Sequence, residues 1–314
     1  MIFGWVPNPA ESEAFIASLP RPVFAQAAPD LVGTGVGADV FLWECERKVL
    51  GRVLGAWNQT RGTCVSQGWG RFAQDMLLAD IAIRNEPEEW PGCEVATEPI
   101  YAGSRVEIGK GQISGPASDQ NSDGSLGSWA AKWVTEYGIL FRKKYGSIDL
   151  TTPDDELAAK WGVKGKGCPN ELELIAREHP ITQTTLVQAY EAARDAIANG
   201  YGVPVCSNQG FTTVRDANGF CKPQGTWNHC MVFRGCGIAK GNRPFLVIQQ
   251  SWAESPTGPN RVKLESGAEI ELPQGCFCVD ASPTNKMLSQ RDSFTGAGFK
   301  GFERRDIPSP HYLG

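Results

Sequence analysis

Histidine is scarce in this chain of 314 residues: there are only His179, His229 and His311. Any chemistry that needs an imidazole base therefore has three candidates. Long apolar runs are absent too. No segment approaches the roughly eighteen apolar residues of a membrane-spanning helix. Met1 to Val6 lacks a basic stretch and is cut off by Pro7 and Pro9, so neither a membrane anchor nor a signal peptide is expected. The thirty Lys and Arg residues form no basic run and are outnumbered by thirty-five Asp and Glu. A net charge of −5 and a pI near 5.4 argue against a nucleic-acid partner. There is no Cys-x-x-Cys pair, and Cys230, Cys236 and His229 share one strand, a poor pattern for zinc, so no metal is expected. The glycines between Gly103 and Gly127 lack phosphate-loop spacing, which leaves no support for a nucleotide or other cofactor.

What remains is a globular composition, 41% hydrophobic and 21% charged, enough to bury a core in one two-lobed domain. Without a signal peptide the chain is expected in the cytoplasm of a host cell, where a reducing environment keeps its ten cysteines as free thiols.

One of those cysteines stands apart. Cys64 lies in Gly62-Thr63-Cys64-Val65-Ser66, just before Val65, Trp69, Phe72, Met76 and Ile83, which fall on one face of a helix that meets no proline until Pro87. Thr63 is the expected N-cap. A thiol at a helix N-terminus has the free N–H groups and the macrodipole that favour a thiolate nucleophile. Gln59, five residues upstream, is a candidate donor to an oxyanion.

A nucleophilic cysteine needs a base and a group to orient the base. His229 occurs in Thr226-Trp227-Asn228-His229-Cys230-Met231-Val232-Phe233, read as a loop entering an apolar strand. His179 and His311 read as surface residues. After a second apolar strand, Pro244 to Ile248, comes Gln249-Gln250-Ser251-Trp252, where Gln250 is the candidate orienting group.

In this order these segments resemble the papain-like cysteine peptidases. Asn228-His229 before a hydrophobic strand and a Gly-x-Gly is similar to that family's histidine segment, and Gln250-Ser251-Trp252 to its Asn-Ser-Trp, with glutamine in place of asparagine. Ser128 to Leu140 resembles the left-lobe helix ending in a glycine turn, Thr185 to Asn199 reads as an alanine-rich helix, and Gly202-Val203-Pro204-Val205 resembles the entry to the right lobe. The separation of Cys64 from His229, 165 residues, exceeds the usual roughly 130 to 150, and Lys110 to Ser128 is the expected insertion. The central region and the Asp292-Ser293-Phe294 tail also resemble papain-like proteins of tailed bacteriophages.

The resemblance implies an α+β fold of two lobes, a helical left lobe and an antiparallel, β-barrel-like right lobe, over residues 56–290. Residues 1–55 read as an extended N-terminal arm, and 291–314 as a C-terminal tail. It implies a thiol hydrolase of peptide or isopeptide bonds. Cys64 attacks the carbonyl as half of an ion pair with His229, Gln250 orients the ring, Cys64 N–H and Gln59 stabilise the oxyanion, and Asn228 and Trp252 line the cleft. The partner is a peptide or protein substrate. The arm is a candidate prosegment, and arm and tail are candidate assembly surfaces. Two other readings stay open: an acyltransferase using the same residues, and a papain-fold structural or binding protein with little turnover, a candidate virion component.

Overall fold

The computed structural model describes residues 3–85, 94–113, 123–252 and 256–313. In chain order its elements are α1 (Pro9–Ser18), α2 (Phe24–Ala27), β1 (Val40–Phe41), α3 (Trp43–Leu50), α4 (Cys64–Arg84), α5 (Glu98–Gly103), α6 (Gly127–Glu136), β2 (Lys144–Tyr145), β3 (Ile148–Asp149), α7 (Asp155–Trp161), α8 (Asn170–Ala176), β4 (Gln183–Leu186), α9 (Tyr190–Ala198), β5 (Val203–Phe211), β6 (Pro223–Ala239), β7 (Arg243–Gln249), β8 (Arg261–Lys263), β9 (Glu269–Glu271), β10 (Cys276–Asp280), α10 (Ala281–Leu288) and β11 (Phe294–Ala297).

The apolar stripe after Cys64 produces α4, the axis of the structure, which packs against α3, α5, α6, β5 and β6. Val65, Trp69 and Phe72 have no exposed surface, each burial contributing about 2 to 3 kcal/mol. Ile83, expected on the same face, lies exposed in the last turn. Burial extends right round most of α4, through Gly68, Gly70, Arg71, Gln74 and Asp75. It is an interior helix, not a surface one with a single apolar stripe.

The main sheet runs in the order β1, β6, β7, β10, with β5 on the same edge of β6 as β1 and all pairs antiparallel. Both faces are covered. Leu246 and Ile248 of β7 join the core with α4, while Phe245 and Val247 point into a second cluster with Phe41, Trp43 and Phe220. That double burial explains why Pro244 to Ile248 reads as a continuous apolar run. The expected barrel-like right lobe is thus an open five-stranded sheet, with no closed barrel among the described residues.

The first fifty-five residues differ from the extended arm read from their prolines. They form α1, α2 and α3, and β1 pairs with β6. One of the prolines marks a helix start instead: Pro9 opens α1 behind the Asn8 cap, whose side chain accepts the Glu11 N–H at 3.3 Å. The stretch before Pro9 is not helical, and Trp5 in it forms a bridge with Ser125. The helix read over Thr185 to Asn199 begins at Tyr190, because Gln183 to Leu186 pairs with β11 of the tail. The left-lobe helix is α6, and Gly138, at φ 92°, makes the turn after it. Pro87 and residues 114–122 of the expected insertion lie outside the described residues. No described helix is long and apolar enough to cross a membrane.

Candidate active site

The loop before Cys64 is held by two carboxylates. Asp155, at the start of α7, accepts from Thr60 N–H (2.5 Å), Thr60 Oγ1 (3.2 Å), Thr63 Oγ1 (3.0 Å) and Gln67 Nε2 (3.4 Å). Asp123 accepts from Gly62 N–H at 2.7 Å and from the Tyr101 hydroxyl. Thr63 occupies the N-cap position of α4, but its hydroxyl goes to Asp155 and makes no cap bond to the helix. The expected cap is corrected accordingly: Thr63 ties the helix start to α7.

Cys64, the first residue of α4, is wholly buried. Its Sγ accepts the backbone N–H of Cys230 at 3.4 Å, which sets the thiol beside the residue that follows His229. The helix start supplies only the position of this sulfur. Its burial comes from the other lobe and from the N-terminus.

His229 is also fully buried, and it sits inside β6 opposite Ser207, not in a loop ahead of the strand. Its ring stacks flat on Trp252, with centroids 4.3 Å apart and planes 7° from parallel, and meets the edge of Phe3 at 6.3 Å. Both ring nitrogens lack a hydrogen-bond partner among the described residues. The hydrogen bond expected from the ring N–H to the Gln250 carbonyl is therefore not made in this structure. Gln250 is buried, with its N–H on Gly275 O at 3.1 Å, and it lines a small cavity with Gln67, Cys230 and Ser251.

Gln59 lies buried beside the same residues. Its N–H donates to Ser251 O at 2.8 Å, its side-chain carbonyl accepts from Ser251 Oγ, and one of its amide N–H groups goes to Arg61 O at 3.1 Å. The side chain is thus committed to bridging the Cys64 loop and the Trp252 segment.

The cleft between the lobes is occupied. Gly4 and Trp5 donate their N–H groups to Asn228 O at 3.3 and 3.1 Å, Val6 N–H donates to Ser125 O at 3.0 Å, and Ser125 N–H to Gly4 O at 2.8 Å. Trp5 and Ser125 form a parallel bridge. The segment lies so close to the loop before Cys64 that a Cβ at Gly4 would overlap the carbonyl of Gly62, which explains glycine there. Asn228, exposed at its side chain, contributes its carbonyl to this contact.

Burial sets the charge state. It raises the Cys64 thiol pKa well above its usual range, with Cys230 adding to the rise and the Cys230 and Gly4 N–H groups opposing it. It lowers His229 from 6.5 to about 3. The thiolate–imidazolium pair expected from the sequence is replaced here by a neutral thiol and a neutral imidazole, because no water reaches either group.

Sequence reasoning missed the strut behind the site. Arg234 is fully buried and donates to both oxygens of Asp75, to Glu46 Oε1 at 2.7 Å and to Gln249 Oε1 at 2.8 Å. Arg71 joins through Glu46 at 3.1 Å. This network pins β6, five residues past His229, to α4, which carries Cys64. The signal was an arginine in the apolar run Met231-Val232-Phe233-Arg234, where a charge needs a buried partner.

No protein-family model matches the sequence, and no curated protein matches it. Among solved structures, the fold is similar to procathepsin B S9 from Trypanosoma congolense, with a TM-score of 0.53 and 12% identity over 94% of this chain and 86% of that one. It is also similar to the proform of the ragweed pollen allergen Amb a 11, a cysteine protease, with a TM-score of 0.51 and 14% identity over 94% of this chain and 76% of that one. A mixed helical and sheet structure, with Cys64 at the start of the central helix and His229 on the facing sheet, accordingly has the papain-like cysteine-protease fold.

Proposed function

We propose that this chain is a papain-like thiol hydrolase of peptide bonds, held in a latent form by its own N-terminal segment. The observation that carries the reading is the Cys230 N–H on Cys64 Sγ, which brings the start of α4 against the strand position next to His229. The groove between Asn228 and Ser125 already holds an extended main chain, which supports a peptide as the substrate class.

With the segment displaced, water enters and the penalty on both charged forms falls. The Cys64 proton then passes to His229, and the thiolate attacks the substrate carbonyl carbon. The C–N bond breaks as His229 returns the proton to the leaving amine, and water releases the acyl group from sulfur. Cys64 N–H, at the helix N-terminus, is one oxyanion donor. Gln59 is the second once its amide turns from Arg61 O, each well-placed donor being worth about 3 kcal/mol. Trp252 keeps the imidazole planar to its own ring and excludes water from one face. Gln250 orients the ring after the same rearrangement; its extra methylene relative to asparagine adds a rotatable bond and slows the enzyme.

The test compares the chain lacking residues 1–6 with the full chain on a library of unstructured peptides. Cleavage by the shortened chain that disappears in Cys64→Ala supports the reading. Shortened chain that is folded yet neither cleaves peptides nor reacts at Cys64 with a peptidyl epoxide refutes it. The buried neutral pair also suits a second reading, a binding module without turnover. That reading gains if the shortened chain retains peptides without cleaving them.

A further inference from the structure

Cys206 and Cys230 face one another across β5 and β6. Their backbone N–H groups both turn away from the shared ladder: Cys206 donates to Ser293 Oγ at 3.1 Å, and Cys230 to Cys64 Sγ at 3.4 Å. Two residues along, Pro204 opposes Val232, and a proline fits there because its missing N–H would also point outward. These three observations make Cys206 and Cys230 a non-hydrogen-bonded pair, in which opposed Cα atoms approach to about 4.5 Å. Disulfides accept Cα separations of roughly 4.4 to 6.8 Å.

The side chains of directly opposed residues share a face of the sheet, so the two thiols lie side by side. Gly68 leaves room for the second sulfur. A Cβ there would stand 2.9 Å from Cys230 Sγ. All nine described cysteines are free.

We propose that Cys206 and Cys230 are a redox pair that closes into a cross-strand disulfide on contact with a small oxidant, either a low-molecular-weight disulfide or hydrogen peroxide. With a small disulfide, two protein thiols and one R–S–S–R give the protein disulfide and two R–SH. With peroxide, one thiol becomes a sulfenic acid with loss of one water, and its condensation with the second thiol releases another. Closure ties β5 to β6 one residue from His229, just before the ladder loses register between Ser207 and Gln209. It also consumes the Cys230 thiol, which can then no longer form a disulfide with Cys64. The pairing itself is independent of whether the chain cleaves peptides.

The experiment uses the folded full chain, incubated at neutral pH with oxidised glutathione and, in parallel, with hydrogen peroxide. Remaining thiols are alkylated under denaturing conditions, and unreduced peptides are mapped by mass spectrometry. The expected result is a linked Cys206–Cys230 peptide, two hydrogens lighter than its parts and reversed by phosphine reduction, with Cys64 recovered alkylated. Oxidation should raise the melting temperature of the wild type by several degrees and leave Cys206→Ala unchanged. A Cys64–Cys230 link in the wild type overturns the proposal. So does recovery of Cys206 and Cys230 both alkylated after both oxidants. Cys206→Ala and Cys206→Ser serve as alternative controls if one of them folds poorly.

Discussion

Trp5 donates its indole N–H to Asp292 at 2.7 Å, fastening the N-terminal segment to the tail next to the start of α6. The same carboxylate accepts Gly127 N–H at 2.7 Å, Ser128 N–H at 2.8 Å and Ser12 Oγ at 2.9 Å, so it also caps α6. The segment over Cys64 thus hangs from an acceptor that is fixed for other reasons.

Replacing Trp5 by phenylalanine keeps a ring in place and removes the donor. A hydrogen bond to a charged group is worth about 1.5 to 3 kcal/mol, so occupancy of the open form should rise on the order of tenfold. Alkylation of Cys64 by iodoacetamide, followed by peptide mapping, should quicken by that factor. An unchanged rate would mean that the segment does not gate the thiol.

Gly4→Ala attacks the same gate sterically. The added methyl meets the backbone of Gly62, which is itself held by Asp123, so the segment must lift. Overpacking of this kind costs about 1 to 3 kcal/mol. Cys64 alkylation should again accelerate, while the thermal melt of the main body moves little. A large loss of overall stability with no gain in Cys64 reactivity would argue that residues 3–6 are part of the core.

That the Cys64 helix and the His229 strand belong to one papain-like fold was legible because each rests on local patterning: a 3.6-residue stripe after Cys64, and apolar runs around His229 and before Gln250. What was not legible depends on contacts between distant segments. Proline spacing alone does not tell an extended arm from helices that start at prolines, and the pairing of β1 with β6 is invisible from Val40 and Phe41. The charge state of Cys64 and His229 was misread because sequence gives no measure of what covers a site. Here the cover comes from residues 3–6 together with Trp252 and Cys230, all distant in sequence from the groups they bury.

Arg234→Met should be among the most damaging single changes. It leaves Asp75 and Glu46 buried, with Arg71 as their remaining cation, a loss of about 3 to 5 kcal/mol. The urea midpoint should fall accordingly, with little change in slope. A loss below about 1 kcal/mol would show that the network is compensated by water or by proton uptake at Asp75, whose pKa burial already raises to about 6.

Stability should fall in acid through His229. Its pKa is lowered from 6.5 to about 3 in the folded protein, so between those values the unfolded chain binds a proton that the folded one does not. The contribution is complete above pH 6.5 and is lost as pH falls towards 3, amounting to about 3 kcal/mol by pH 4. Asp75 and Glu107, raised by burial to about 6 and about 7, work in the opposite sense, since they favour the folded state at low pH and lose that contribution as pH rises. Comparing the wild type with His229→Gln over pH 4 to 7 by urea denaturation cancels them and isolates the ring. The wild type should lose stability relative to the variant as pH falls. Protonation also favours any form in which the ring is hydrated, and Phe3 and Trp252 leave it no water while the segment is seated. Cleavage of the N-terminal segment by an added acid protease should therefore rise over the same interval in the wild type and stay level in the variant. Parallel curves in both measurements would remove His229 as the coupling between proton uptake and opening.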